Sequence, residues 1–248
     1  DLYSQLRHYK EALQAIETAL SLEPGERKFY SSKGEILHQT NQFDSSLVYF
    51  NKAYTLSNTD KEKANALWHI GGSEFRIMEY ERSYQHLRQA LALDSTSKEV
   101  LSNLAMVSDE AGRGDETIGY LEKILEMDSL YLPAIVNIGF KYQFEENYTQ
   151  SNVYYNKSIR IAPKDPLGYS NRSYNRLKLG DLEGAMEDIN YSIKLRYNNS
   201  WAYRNRALIY IEMGKKGKAC KDLETANTYG FSQMYGEEVN KLIAEHCE

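Results

Sequence analysis

Seven segments of this chain fall into one frame with a period of 34 residues, and that period constrains the fold more than any other feature. The segments are EALQAIETALSLEP (11–24), SSLVYFNKAYTLSN (45–58), RSYQHLRQALALDS (82–95), ETIGYLEKILEMDS (116–129), QSNVYYNKSIRIAP (150–163), GAMEDINYSIKLRY (184–197) and KACKDLETANTYGF (218–231). Their anchor residues Ala19, Ala53, Ala90, Ile124, Ser158, Ser192 and Ala226 stand 34 apart, except for one interval of 37. The longer interval is a three-residue insertion around DKEKAN (60–65). Before each segment lies a stretch with apolar residues at helical spacing, such as Ile135, Ile138 and Tyr142. Between the two comes a turn, marked by Gly112, Gly180 or Gly214, or by TNQF (40–43) and EENY (145–148). Pro24 and Pro163 close two of the second helices.

A unit of two short helices cannot bury its apolar surface alone, so consecutive units must stack. The expected fold is all-α: a right-handed superhelical solenoid of antiparallel helix pairs with a concave inner surface. The expected units are a partial first repeat (1–26), six full repeats (27–60, 64–97, 98–131, 132–165, 166–199 and 200–231) and one C-terminal capping helix (232–248). The first repeat lacks most of its first helix, which suggests that the chain starts inside a longer protein. Four prolines and few β-branched runs agree with helix throughout.

The repeat resembles the tetratricopeptide repeat family over essentially the whole chain. Gly139, Tyr142, Tyr148, Tyr155 and Pro163 carry the resemblance in one unit, and Gly34, Phe43, Phe50 and Ala53 in another. Ser46, Ser83, Thr117 and Ser151 depart from it, because the family usually has alanine there.

Counted from the start of each full repeat, the sixth residue is Ser32, His69, Asn103, Asn137, Asn171 and Asn205. In the family this site lies on the first helix and faces the groove. A carboxamide offers two donors and an acceptor, so the Asn103–Asn137–Asn171–Asn205 row could grip the backbone of an extended peptide. The row resembles the asparagine ladder of the O-linked N-acetylglucosamine transferases; the alternative is that each amide bonds a neighbouring helix. His69 continues the row toward the N-terminus, and Phe140, Tyr174 and Trp201 are the expected apolar anchors of the groove. The carboxylate clamp of heat-shock co-chaperones is not expected, since Ser102, Met106, Asn137, Leu167 and Asn171 at the corresponding sites include no cation.

Arg172 and Arg206 replace the Leu104 or Ile138 of other repeats, and sixteen residues later Asp188 and Asp222 replace Tyr120 and Tyr154. Both members change together, as a buried charge requires a partner. Arg172–Asp188 and Arg206–Asp222 are therefore expected to be structural ion pairs between the two helices of one repeat.

Other motifs fail on chemistry. GKKGKA (214–219) has its glycines too close for a phosphate loop, and Ala219 stands where a magnesium-binding hydroxyl belongs. GRGD (112–115) is an inter-helix turn. His8, His38, His69, His86 and His246 show no paired ligand spacing, so no metal site, cofactor or catalytic centre is expected. The net charge of −5 argues against a nucleic-acid partner, and no apolar run reaches the roughly 18 residues of a membrane span. Cys220 lies on the face turned to the next repeat and Cys247 closes the cap. Two readings stand: a disulfide worth roughly 3–4 kcal/mol, or two buried thiols. The C-terminal sequence resembles those of bacterial envelope-associated members of the family, which favours the bridge and a periplasmic or envelope location over a cytoplasmic one. The expected function is a non-catalytic scaffold for a protein or peptide partner. Self-association, and service as the regulatory arm of an enzyme encoded upstream, are the alternatives.

Overall fold

The computed structural model describes residues 2–247, with side chains from residue 8 onward. Asp1 of the expected first repeat and Glu248 of the expected cap lie outside the described residues. Fifteen helices and no strand occur among the described residues. The chain divides into two compact units, Asp1–Met127 and Asp128–Glu248. The first holds α1 (Leu2–Leu22), α2 (Arg27–Gln39), α3 (Phe43–Thr55), α4 (Asp60–Arg76), α5 (Tyr80–Leu93), α6 (Lys98–Glu110) and α7 (Thr117–Met127). The second holds α8 (Leu132–Phe144), α9 (Tyr148–Ile161), α10 (Pro166–Lys178), α11 (Leu182–Leu195), α12 (Ser200–Glu212), α13 (Lys216–Thr228), α14 (Phe231–Tyr235) and α15 (Glu238–His246).

Within each unit the helices pair as the period requires. The pairs are α2 with α3, α4 with α5 and α6 with α7, then α8 with α9, α10 with α11 and α12 with α13. First helices also touch one another, α2–α4–α6 in one unit and α8–α10–α12 in the other. First helices therefore form a layer of their own in each unit, and the groove residues foreseen from sequence lie on that layer.

Turn chemistry sets the angle within each pair. One residue at the same repeat position takes positive φ in all six turns: Asn41, Met78, Gly112, Glu146, Gly180 and Gly214. The N–H of the following residue reaches back to the helix, as in Gln42 N to Leu37 O at 2.8 Å and Lys215 N to Tyr210 O at 2.8 Å. This is the Schellman closure that an αL residue permits. Met78, at φ 65°, carries a Cβ in that region and its side chain is exposed. Met78→Gly should stabilise the first unit by about 1 kcal/mol in urea denaturation, because strain disappears and no buried contact is lost. A decrease in stability would show that the turn is held by that side chain.

Close approach within the pairs explains two of the serines that depart from alanine. Ser83 Oγ donates to Gly71 O at 2.7 Å, and Ser151 Oγ donates to Gly139 O at 2.7 Å. A Cβ on Gly139 would come within 2.8 Å of the Tyr155 ring. Glycine on the first helix thus admits a large side chain from the second, and a hydroxyl bonds the carbonyl brought near.

Two elements differ from the sequence expectation. The insertion at 60–65 does not loop out; it extends α4 by a turn at its N-terminus, so this repeat begins at Asp60 rather than at 64. Thr59 caps that turn and Glu62 reaches back to the Thr59 N–H, a capping box that satisfies the exposed amides. The expected single capping helix over 232–248 is instead two helices, α14 and α15. Gly236, at φ 88° and ψ −169°, interrupts the helix in a region closed to other residues. Phe231 and Val239 from the two pieces are buried with Ala207, Leu223 and Ala226 of α12 and α13.

Candidate peptide-binding surface

In the second unit the candidate surface is built on α8, α10 and α12. Pro133 and Pro166 stand in the first turns of α8 and α10, and the Asp165 carboxylate accepts from Leu167 N at 2.9 Å. Proline at these positions lacks only an N–H that the helix leaves unused. Asn137 is exposed on α8. Asn171, half-buried on α10, lies beside the buried Tyr155 phenol, whose pKa burial raises. Tyr155 in turn donates to Gln143 Oε1 at 3.1 Å. Asn205 is different. It is 4% exposed, and its amide donates to Ser170 O at 3.2 Å while its Oδ1 accepts from Arg204 at 2.9 Å. Its amide is spent between helices, the alternative weighed for the row as a whole.

The apolar residues foreseen for this surface are largely open. Phe140 is 57% and Trp201 38% exposed, with Leu167 exposed between them in the layer. Tyr174 is half-buried, 6.4 Å from the Tyr148 ring and 5.3 Å beneath the Arg204 guanidinium. Trp201 meets Phe231 at 4.9 Å and Tyr235 at 5.1 Å. Tyr235 and Met234, both exposed, enlarge the apolar patch beside Trp201. They lie outside the 34-residue frame, so no repeat position pointed to them. Arg204 brings no open cation to the surface, because Glu238 from α15 takes its guanidinium.

In the first unit Asn103 is half-buried on α6, with its amide near Gly72 of α4. His69 stacks on Phe50 at 4.6 Å and 11° between planes. Glu35 Oε1 stands 3.5 Å from His69 Nε2. This is not an ion pair at neutral pH: burial, reinforced by nearby His38, pulls the imidazole down to about 4, and burial raises the Glu35 carboxyl. Desolvation outweighs the attraction at this separation.

The arginines named from sequence face the opposite, second-helix side. Arg172 Nε and Nη2 donate to the two oxygens of Asp188 at 2.7 and 2.6 Å, and Nη1 to Asn156 at 2.6 Å. Arg206 repeats the arrangement with Asp222 at 2.7 and 2.8 Å and with Asn190 at 2.9 Å. In both pairs the aspartate is buried, and it raises the guanidinium pKa. Cys220 on α13 and Cys247 after α15 form a disulfide with Cα atoms 5.6 Å apart.

Comparison with known proteins adds the following. A family model described as tetratricopeptide repeat matches residues 1–26 and 28–60. The chain is 24% identical over 233 residues to a TPR repeat-containing protein of Methanocaldococcus jannaschii, covering 84% of this chain and 39% of the relative. It is 25% identical over 193 residues to tetratricopeptide repeat protein 6 of Homo sapiens, covering 72% of this chain and 34% of the relative. The chain therefore spans well under half the length of these curated relatives. Among solved structures, a tetratricopeptide repeat protein from Parabacteroides merdae is similar with TM-score 0.76 at 18% identity, over 98% of this chain and 94% of that one. YrrB, described as a TPR protein with an unusual peptide-binding site, is similar with TM-score 0.59 at 16% identity, over 77% of this chain and 96% of that one.

Proposed function

Because the chain belongs to the tetratricopeptide repeat family, whose members serve as protein-interaction scaffolds, we propose that its first-helix layer binds an extended peptide segment of a partner protein. The observation that carries the proposal is the second unit's open surface, where Asn137 and Asn171 stand among exposed Phe140, Leu167 and Trp201. Carboxamides hold peptide backbone by paired donor and acceptor groups, and aromatic side chains supply apolar anchorage at low entropic cost. Asn103 extends the same reading to the first unit. Asn205 contributes indirectly, by fixing Ser170 and Arg204 behind the surface. YrrB, a fold relative with a peptide-binding site, supports this reading by analogy.

No residue of the surface is asked to do chemistry; the proposed role is binding. The Cys220–Cys247 bridge supports action in an oxidising compartment, where such bonds persist. Self-association remains the rival outcome of the test below.

The test is capture of peptides from a display library on the intact chain, followed by titration of a selected peptide. Asn137→Ala with Asn171→Ala should weaken binding about tenfold, two hydrogen-bonding side chains each contributing about 0.5–1.5 kcal/mol. Asn137→Ala alone, at an exposed site, should leave the melting temperature unchanged, whereas Asn171→Ala sits beside the buried Tyr155 phenol, so its effect on stability is measured alongside the titration. Equal affinity of wild type and variant would remove the asparagines from the proposal. A concentration-dependent mass with no peptide captured would favour self-association.

A further inference from the structure

A second surface lies in the first unit, away from the first-helix layer. Arg88, on α5, is 53% exposed at its side chain. Its Nη1 donates to Tyr84 Oη at 3.3 Å and Tyr120 Oη at 3.1 Å. Those two buried phenols both donate to one oxygen of Glu116, each at 2.6 Å. Each phenol proton is thus spent on the carboxylate and each phenol oxygen is left to receive the guanidinium. Hydrogen bonds from Tyr120 and Tyr84 hold the Glu116 carboxyl below its ordinary range, so it stays ionised and keeps the arrangement fixed. On the other side of Tyr84, Arg113 lies 4.4 Å over the ring and gives both terminal nitrogens to Glu81 at 2.7 and 3.2 Å.

These groups border a cavity of about 390 Å³ lined by Tyr84, Gln85, Arg88, Gln89, Ala92 and Arg113. Both charged residues of that lining are arginines. Glu81 pairs with Arg113, Glu116 accepts from the two phenols that receive Arg88, and neither glutamate is part of the lining. Both terminal nitrogens of Arg113 are engaged, Nη1 and Nη2 by Glu81 and Nη1 also by Ala111 O at 2.9 Å. Those of Arg88 are not: Glu116 Oε2 is 3.8 Å away, and among the described residues Nε and Nη2 have no partner.

We propose that this cavity binds a carboxylate side chain from an acidic segment of a partner protein, received by the free edge of Arg88. The two arginines and two glutamates carry zero formal charge together, so the site suits one planar monoanion better than a dianion. A guanidinium edge matches a carboxylate with two parallel hydrogen bonds. Because both phenols already fix the guanidinium, little side-chain freedom remains to be lost on binding. The Gln89 carboxamide stands at the same wall. The site is independent of the asparagine surface, and its test separates the two.

The Arg88 Nε–H resonance of the intact chain is followed by NMR during titration with acetyl-tetraglutamate amide at constant ionic strength. Parallel titrations use acetyl-tetraglutamine amide and inorganic phosphate. The acidic peptide should move Arg88 Nε and the α5 amides saturably, the neutral peptide should not, and phosphate should compete weakly. Arg88→Gln should raise Kd at least tenfold with an unchanged melting temperature, and Asn103→Ala should leave Kd unchanged. Equal affinity in Arg88→Gln overturns the proposal. So does a response shared by both peptides, a response to phosphate alone, or a perturbation centred on Asn103.

Discussion

Asp188→Tyr alone should destabilise the second unit by about 3–5 kcal/mol, and adding Arg172→Ile should restore most of that loss. The single change leaves the Arg172 guanidinium between α10 and α11 without the carboxylate that accepts from its Nε and Nη2. Only Asn156 would still accept from it. Arg176, which also reaches Asp188 at 3.1 Å, keeps Gly184 O at 3.0 Å and so loses less. The double change reproduces the preceding repeat, where Ile138 is fully buried and Tyr154 stacks on Tyr142 at 5.7 Å. Urea denaturation of the four chains gives the coupling directly as a double-mutant cycle. Additive single costs would mean that the charges act independently, and the ion pair would lose its structural meaning.

The first unit should lose up to about 3 kcal/mol of stability as pH falls from 6.5 to 4, through His69 alone. Its folded pKa is lowered from 6.5 to about 4, chiefly by burial. In that window the unfolded chain binds the proton and the folded one does not, so the stability present above pH 6.5 is lost toward pH 4. His38, lowered by burial and by Arg76, acts in the same direction. Glu35 acts against both, since its raised pKa lets the folded state take a proton that the unfolded state still refuses. His69→Asn installs the residue found at the equivalent site in the following repeats and removes the titration. Its denaturation midpoint should fall less between pH 7 and pH 4.5 than that of the parent chain. An identical fall would assign the acid sensitivity to other groups.

The two ion pairs were legible in the sequence because each cost two coordinated substitutions at a fixed separation of sixteen residues. The helix pairs were legible for a similar reason: the period carries both the apolar pattern and the turn position. What the period could not convey was contact across repeat boundaries, or contact made by residues particular to one repeat. The Tyr84–Glu116–Tyr120 cluster joins α5 to α7 across a repeat boundary, so no single repeat contains it. Glu74 is fully buried at a site where the preceding repeat has Leu37, and its partners His86 at 2.7 Å and Arg82 at 3.2 Å come from α5. The departure of Asn205 from Asn137 has no local signal either. Both sit at the sixth position, and only the neighbouring Ser170 and Arg204 decide that one amide is enclosed and the other open. The break at Gly236 lay in a segment where the frame had already ended.

The charges between α10 and α11 also bear on how near-copies find their own mates during folding. Helices this similar can pair one unit out of step, and such slipped arrangements are the usual kinetic traps of repeat chains. If α10 took α9 as its mate, Arg172 would face Tyr154 where it now faces Asp188, and a buried guanidinium would lack a carboxylate. That mispairing is penalised by charge, whatever its shape. Slippage the other way, setting Arg172 against Asp222, carries no such penalty. The ion pairs therefore proofread the boundary between the α8–α9 and α10–α11 pairs, and leave the next boundary to be told apart by side-chain shape.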